Sequence, residues 1–229
     1  MKEKVMFVGM DVWHGSNNEV FSVGGLIFSL DTNLLKIYSA AVLHEWRQEI
    51  FNSIRDHFVL ALKAFVEENK QLPDRVMIYR DGVLRRDYKT LLLHELKQYM
   101  EVIDMLYVGR RPFLSMVVVQ KRVYERFFAK LETGKYVNSP PGTVIDHDMT
   151  RKRCYDFFLN SMYRKKGTTI PTHYVMVYDN SNMSPDVFHQ VTYSLCYSYF
   201  NWPGTFYVPS VVQYAHKLAS HVVGRSCWN

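Results

Sequence analysis

Asp11 and Asp81 each stand at the end of a short apolar run. Asp11 follows Val5-Met6-Phe7-Val8-Gly9-Met10, and Asp81 follows Arg75-Val76-Met77-Ile78-Tyr79-Arg80. Runs of this length, bounded by polar residues, read as buried strands. Open α/β sheets bind ligands beyond the carboxyl ends of their strands. If these two strands are parallel neighbours, their carboxylates lie side by side. Such a pair repels unless a cation neutralises it. Two-metal phosphoryl-transfer sites use that arrangement, with ions roughly 3.5–4 Å apart. Mg²⁺ prefers oxygen donors, so either aspartate suits it as a ligand or a bridge. Gly82 then allows a sharp turn away from the site. Read singly, Asp81-Gly82 is a common turn.

The elements that must position these groups follow from patterning. The strand Val5–Val12 leads into a polar turn over residues 13–18. Residues 20–29 and 34–42 read as two more strands, split by Asp31-Thr32-Asn33, giving an antiparallel meander. Trp46, Ile50, Ile54, Phe58, Leu62 and Phe65 recur at helical spacing, which predicts a long helix with Glu49 in its first turn. A helix between strands makes a crossover and favours parallel pairing, which sets the strand of Asp81 beside that of Asp11. A second helix is predicted over 89–100 and a strand over 113–119. Further strands are predicted at 143–146, 154–159 and 173–177. Ser184-Pro185 starts a helix that runs towards Phe200, with Ser184 as cap and Pro185 at the first helical position. A last helix spans about 211–223. Phe157, Phe158 and Tyr199 read as core, and Arg164-Lys165-Lys166 as an exposed basic loop.

The chain of 229 residues fits one large domain or two small ones and is long enough to bury a substantial core. Its 48% hydrophobic and 15% aromatic content belongs to a folded chain. The net charge of +6 suits a polyanionic partner without requiring one. Cys154, Cys196 and Cys227 lack paired spacing, which argues against a disulfide framework or structural zinc and for a reducing compartment. No apolar run is long enough to span a membrane. A chain entering a strand by its fifth residue is expected to be a piece of something longer.

Taken together, Gly9-Met10-Asp11-Val12-Trp13-His14, Tyr79-Arg80-Asp81-Gly82-Val83 and Gln213-Tyr214-Ala215-His216-Lys217-Leu218-Ala219 resemble the Piwi domain of Argonaute proteins. Lys217 after His216 resembles the Piwi branch. Arg47-Gln48-Glu49-Ile50, Val118-Val119-Gln120-Lys121-Arg122, Pro140 to Asp146, Gly167-Thr168, Pro171 to Tyr174 and Thr192 to Cys196 follow in the family's order. Each motif is weak alone, and their joint order is specific across nearly the whole chain.

The resemblance implies an α/β fold of RNase H-like type, with a mixed central sheet flanked by helices. It implies a guide-directed, metal-dependent endonuclease (two Mg²⁺ or Mn²⁺ ions) that cuts RNA paired to a small, piRNA-like guide. Its metal-site tetrad carries over to Asp11, Glu49, Asp81 and His216, with Asp11, Asp81 and His216 as metal ligands. On pattern alone, Glu49 is a charge near a helix N-terminus. An imidazole such as His216 can ligate a metal or move a proton. His14 is the runner-up to His216. Lys121, Arg122, Thr168, Tyr214 and Lys217 are candidate phosphate and ribose contacts.

The PAZ and MID regions that grip the guide ends are absent from this stretch. It stops at Ser226-Cys227-Trp228-Asn229, short of the apolar C-terminus that seats the guide 5′ phosphate in the family. The resemblance further implies germline silencing of transposons, in the cytoplasm, its perinuclear granules or the nucleus, with protein partners on the domain surface. The rival readings are a binding module that holds a guide–target duplex or a protein without cutting, and an unguided RNase H-like nuclease.

Overall fold

A computed structural model describes residues 3–15, 21–151, 154–164 and 166–226. Its central sheet has eight strands in the order β3-β2-β1-β4-β5-β10-β9-β8. The strands are β1 (Val5–His14), β2 (Phe21–Ser29), β3 (Ile37–Glu45), β4 (Arg75–Asp81) and β5 (Phe113–Gln120). Then come β8 (Thr143–Ile145), β9 (Asp156–Asn160) and β10 (Thr172–Asp179), while β6 (Phe128–Lys130) and β7 (Tyr136–Asn138) form a separate hairpin. The helices are α1 (Ile54–Asn69), α2 (Tyr88–Leu91), α3 (Lys97–Leu106), α4 (Pro185–Leu195) and α5 (Ser210–Ser226).

As expected, β1, β2 and β3 make an antiparallel meander, and the α1 crossover returns β4 parallel to β1. β5 continues the parallel set, whereas β10 pairs antiparallel with it. The period of two along each strand divides the sheet into two buried layers. Met6, Val8, Met10, Val76 and Ile78 face α1 and α3. Phe7, Met77, Tyr79, Val117 and Val119 face α4 and α5. Asp11 and Asp81 fall on the second parity, so both belong to the α5 face.

Several element bounds differ from those the pattern suggested. β1 runs on through Trp13 and His14, which had been assigned to a turn. Residues 16–18 of that turn, and Val20, lie outside the described residues. β3 starts at Ile37 rather than residue 34, because the Asp31 carboxylate accepts the Leu35 and Lys36 N–H groups and holds a turn there. The expected second helix is longer, and a π-helical turn, Leu92–Leu96, joins α2 to α3. α4 begins on Ser184-Pro185 as predicted, but the Ser184 hydroxyl makes no capping bond and the helix ends at Leu195, not near Phe200. Phe157, Phe158 and Tyr199 are buried as expected. Arg164 and Lys166 are exposed, and Lys165 lies outside the described residues.

The largest correction concerns α1. It starts at Ile54, so Trp46, Arg47, Glu49 and Ile50 belong to the preceding loop. Arg47 has φ of +62°, which interrupts any helix. The N-terminus of α1 is satisfied from a distance: Gln98 of α3 accepts the Ile54 N–H at 2.8 Å and donates to the Phe51 carbonyl at 2.8 Å.

α5 lies directly on the sheet backbone. A Cβ added to Gly9 would come within 2.1 Å of the Val211 carbonyl oxygen, and one on Gly25 within 2.1 Å of the Ala215 carbonyl oxygen. Gly25 pairs with Asp11 across β1 and β2, and Ala215 precedes His216. This close seating brings the two ends of the chain together. Gly25→Ala is expected to lower unfolding stability by roughly 1–3 kcal/mol, as overpacking does. Urea denaturation checks this, and an unchanged midpoint would contradict the seating described.

Candidate active site

Asp11 and Asp81 leave adjacent parallel strands at one end of the sheet, one residue beyond the Met10–Arg80 pair. Both are buried, at 5% and 1% exposure. His216 Nδ1 lies 2.7 Å from Asp11 Oδ2. Lys121, one residue past β5, brings its ammonium into contact with Asp81 Oδ2 and to 3.8 Å from Asp11 Oδ2. Gly82 follows with φ of +86°, a left-handed conformation that costs glycine nothing. A Cβ there would lie 3.2 Å from Glu49 Oε1 and 3.8 Å from Asp11 Oδ1, so the Glu49 and Asp11 carboxylates flank the same glycine. The four acidic and imidazole groups singled out in the sequence therefore gather at one end of β1 and β4.

They do not all touch. Glu49 points to Arg80 and His14 rather than to the aspartates. Arg80 Nη1 donates to Glu49 Oε1 at 3.0 Å, and Nη2 donates to the Glu49 carbonyl oxygen at 2.5 Å. His14 Nε2 lies 2.8 Å from Glu49 Oε2. The Ser22 hydroxyl accepts the Arg47 N–H at 3.0 Å and lies 2.8 Å from His14 Nδ1. A carboxylate only accepts, so His14 Nε2 donates to Glu49. His14 is thus a support for Glu49, not an alternative to His216.

Arg80 is the functional residue that pattern reading passed over. It has no solvent exposure and is paired with the equally buried Glu95. Arg80 Nε donates to Glu95 Oε2 at 3.0 Å and Nη2 donates to Oε1 at 3.1 Å. Nη1 also donates to the Asp81 carbonyl oxygen. Burial alone would favour loss of the proton, but Glu95 and Glu49 offset it and hold the guanidinium charged. Glu95 Oε1 also accepts the Phe51 N–H at 3.0 Å. It sits in the π-helical turn, a distortion that often marks functional positions. The only signal of this pair in the sequence was a charge inside an apolar strand.

The chemistry of the donors fits a divalent cation. Asp11 and Asp81 offer hard oxygens in a dry setting. Among the described residues, the buried Asp81 Oδ2 accepts no well-aligned hydrogen bond and is met only by the Lys121 ammonium. A positive charge is already required there. Among the described residues, no three His, Cys, Asp or Glu side chains converge closely enough to hold a metal by themselves. Burial, and then the Asp11 carboxylate, push the Asp81 carboxyl up to about 6, against the pull of Lys121 and Arg80.

The predicted nucleic-acid contacts scatter more widely. Arg122, Thr168 and Lys217 are exposed, and Lys121 is turned inward on the aspartates. The Tyr214 hydroxyl accepts the Phe200 N–H at 3.1 Å.

The Piwi domain profile matches residues 1–226. The chain belongs to the Piwi domain family. It is 41% identical over 223 residues to Piwi-like protein 1 of Danio rerio, covering 97% of this chain and 26% of that protein. The crystal structure of Drosophila Piwi matches it with a TM-score of 0.83 at 32% identity, over 96% of this chain and 30% of that one. The crystal structure of Kluyveromyces polysporus Argonaute with a guide RNA matches with a TM-score of 0.83 at 27% identity, over 94% of this chain and 28% of that one. This Piwi domain thus has the RNase H-like fold, and it spans about a quarter of the curated relative's length. No helix among the described residues is long and apolar enough to cross a membrane.

Two outcomes follow. Arg80→Met leaves Glu95 in the core without its counter-ion, and should destabilise the domain by about 3–5 kcal/mol in urea titrations. The Asp81 carboxyl binds its proton more tightly folded than unfolded. Its stabilising contribution is therefore complete below the ordinary carboxylate range and is lost as pH rises through about 6. In metal-free buffer, Asp81→Asn should make denaturation midpoints fall less between pH 4 and pH 7 than in the wild-type chain.

Proposed function

We propose that this domain is the cleaving part of a guide-directed endonuclease of the Piwi branch. Its substrate is RNA paired to a small, piRNA-like guide. The observation that carries this reading is the pair of buried carboxylates, Asp11 and Asp81, on neighbouring parallel strands with His216 on Asp11 and Glu49 across Gly82. The likeness to an Argonaute crystallised with a guide RNA supports the substrate class.

Asp11 and Asp81 would hold two Mg²⁺ or Mn²⁺ ions, with Glu49 and His216 completing the site. Bound there, the ions supply charge neutralisation on the phosphate oxygens and a water of lowered pKa. Asp11 engages His216 at Nδ1, which leaves the Nε2 lone pair to complete the metal site or to take part in proton transfer at the leaving oxygen. Arg80 and His14 keep the Glu49 carboxylate at the site. Lys121, Arg122, Thr168, Tyr214 and Lys217 would contact phosphates and riboses. The setting we propose is germline silencing of transposons in the cytoplasm, perinuclear granules or nucleus. There this chain would be part of a longer protein whose PAZ and MID regions hold the guide.

A second reading is a module that grips a guide–target duplex or a partner protein without cutting. The Lys121 ion pairs favour it, since one ammonium meets both aspartates without a metal. A cleavage assay separates the two. The longer protein carrying this chain, loaded with guide and supplied with Mg²⁺, is expected to cut matched RNA. Asp81→Ala or chelation of the metal should reduce cutting to background. Cutting by Asp81→Ala at the parent's rate would remove the proposal.

A further inference from the structure

Lys121 raises a question that the proposed chemistry does not answer. Its ammonium stands where a cation between Asp11 and Asp81 would stand, in contact with Asp81 Oδ2 and 3.8 Å from Asp11 Oδ2. The placement is built into the sheet. Asp81 pairs with Val119 across β4 and β5, and the Gly82 N–H reaches the Val119 carbonyl at 3.4 Å. Lys121 follows two residues later with the same parity, so its side chain leaves on the face of both aspartates. That side chain is 24% exposed, whereas those of Asp11 and Asp81 are 7% and 2% exposed. Two buried carboxylates without a counter-charge would repel each other strongly in so dry a place.

We infer that Lys121 is a tethered counter-ion that fills the cation position between Asp11 and Asp81 in the metal-free domain and is expelled when a divalent ion binds. The inference rests on the proposed metal site and goes beyond it. Ammonium and metal compete for the same oxygens, so the docked lysine lowers the apparent affinity for the metal. An ammonium docked nine-tenths of the time would weaken it about tenfold. The lysine has a flexible stem with enough exposure to leave, and once expelled its charge is free to meet a phosphate. Lys121 is a positioning and gating group in this scheme, not a catalytic one.

The test uses the 229-residue chain with Mn²⁺ as the probe. Lysines are acetylated with an N-hydroxysuccinimide ester, and the rate at each position is read by mass spectrometry. Lys121 should react slowly in chelator and about tenfold faster with saturating Mn²⁺, while the exposed Lys97 should not change. In parallel, Lys121→Met should bind Mn²⁺ about tenfold more tightly than wild type by titration calorimetry. Equal Lys121 labelling with and without Mn²⁺, in a chain that binds the ion, overturns the inference and leaves the metal site standing. Tighter binding by Lys121→Met without that change in labelling means charge repulsion alone, and also overturns it. Wild-type chain that binds no Mn²⁺ removes the inference and the metal site together.

Discussion

A guanidinium with no access to water must find every partner inside the protein, and Arg80 finds its partners on three segments. Glu95 comes from the π-helical turn, the Glu49 carboxylate and carbonyl from the β3–α1 loop, and the Asp81 carbonyl from its own strand. Desolvating such a charge is expensive, so the arrangement persists only while all are in place. The loop bearing Glu49 is therefore not free to drift. Its backbone and side chain are claimed by the residue that precedes Asp81, and the site's shape rests on that claim.

Strand parity explains how one short stretch serves two layers. Arg80 faces α1 and α3, where it ties down the loop and the π-helical turn. Asp81, its neighbour, faces α5, as does Asp11, which carries His216. The structural support and the chemical groups are thus separated by the thickness of the sheet yet joined by a single peptide bond. Glu49 reaches the site around the end of β4, where Gly82 has no side chain to block it.

Much of this was legible because it depended on local order. Apolar runs ending in aspartate gave β1 and β4, and the crossover rule made them parallel neighbours. The family motifs then named Glu49 and His216. What could not be read came from distant partners. Glu49 was assigned to a helix because Trp46 and Ile50 continue the spacing of Ile54 and Phe58. Nothing nearby in sequence reveals that Arg80 and Gln98 hold that segment in another shape. Glu95 lies within the predicted second helix, and no local pattern shows that the fold places it opposite Arg80. His14 resembled a turn residue because β1 is two residues longer than its apolar run. Lys121 was read as a phosphate or ribose contact, and its inward direction onto the aspartates depends on the register of β5 against β4.

The seating of α5 has a mechanical meaning. Most helices rest on a cushion of side chains that can rearrange when the helix is pushed. Here Val211 and Ala215 rest on bare main chain at Gly9 and Gly25, with no compliant layer between. A tilt or slide of the helix's solvent-facing surface would therefore pass to the imidazole at its midpoint with little damping.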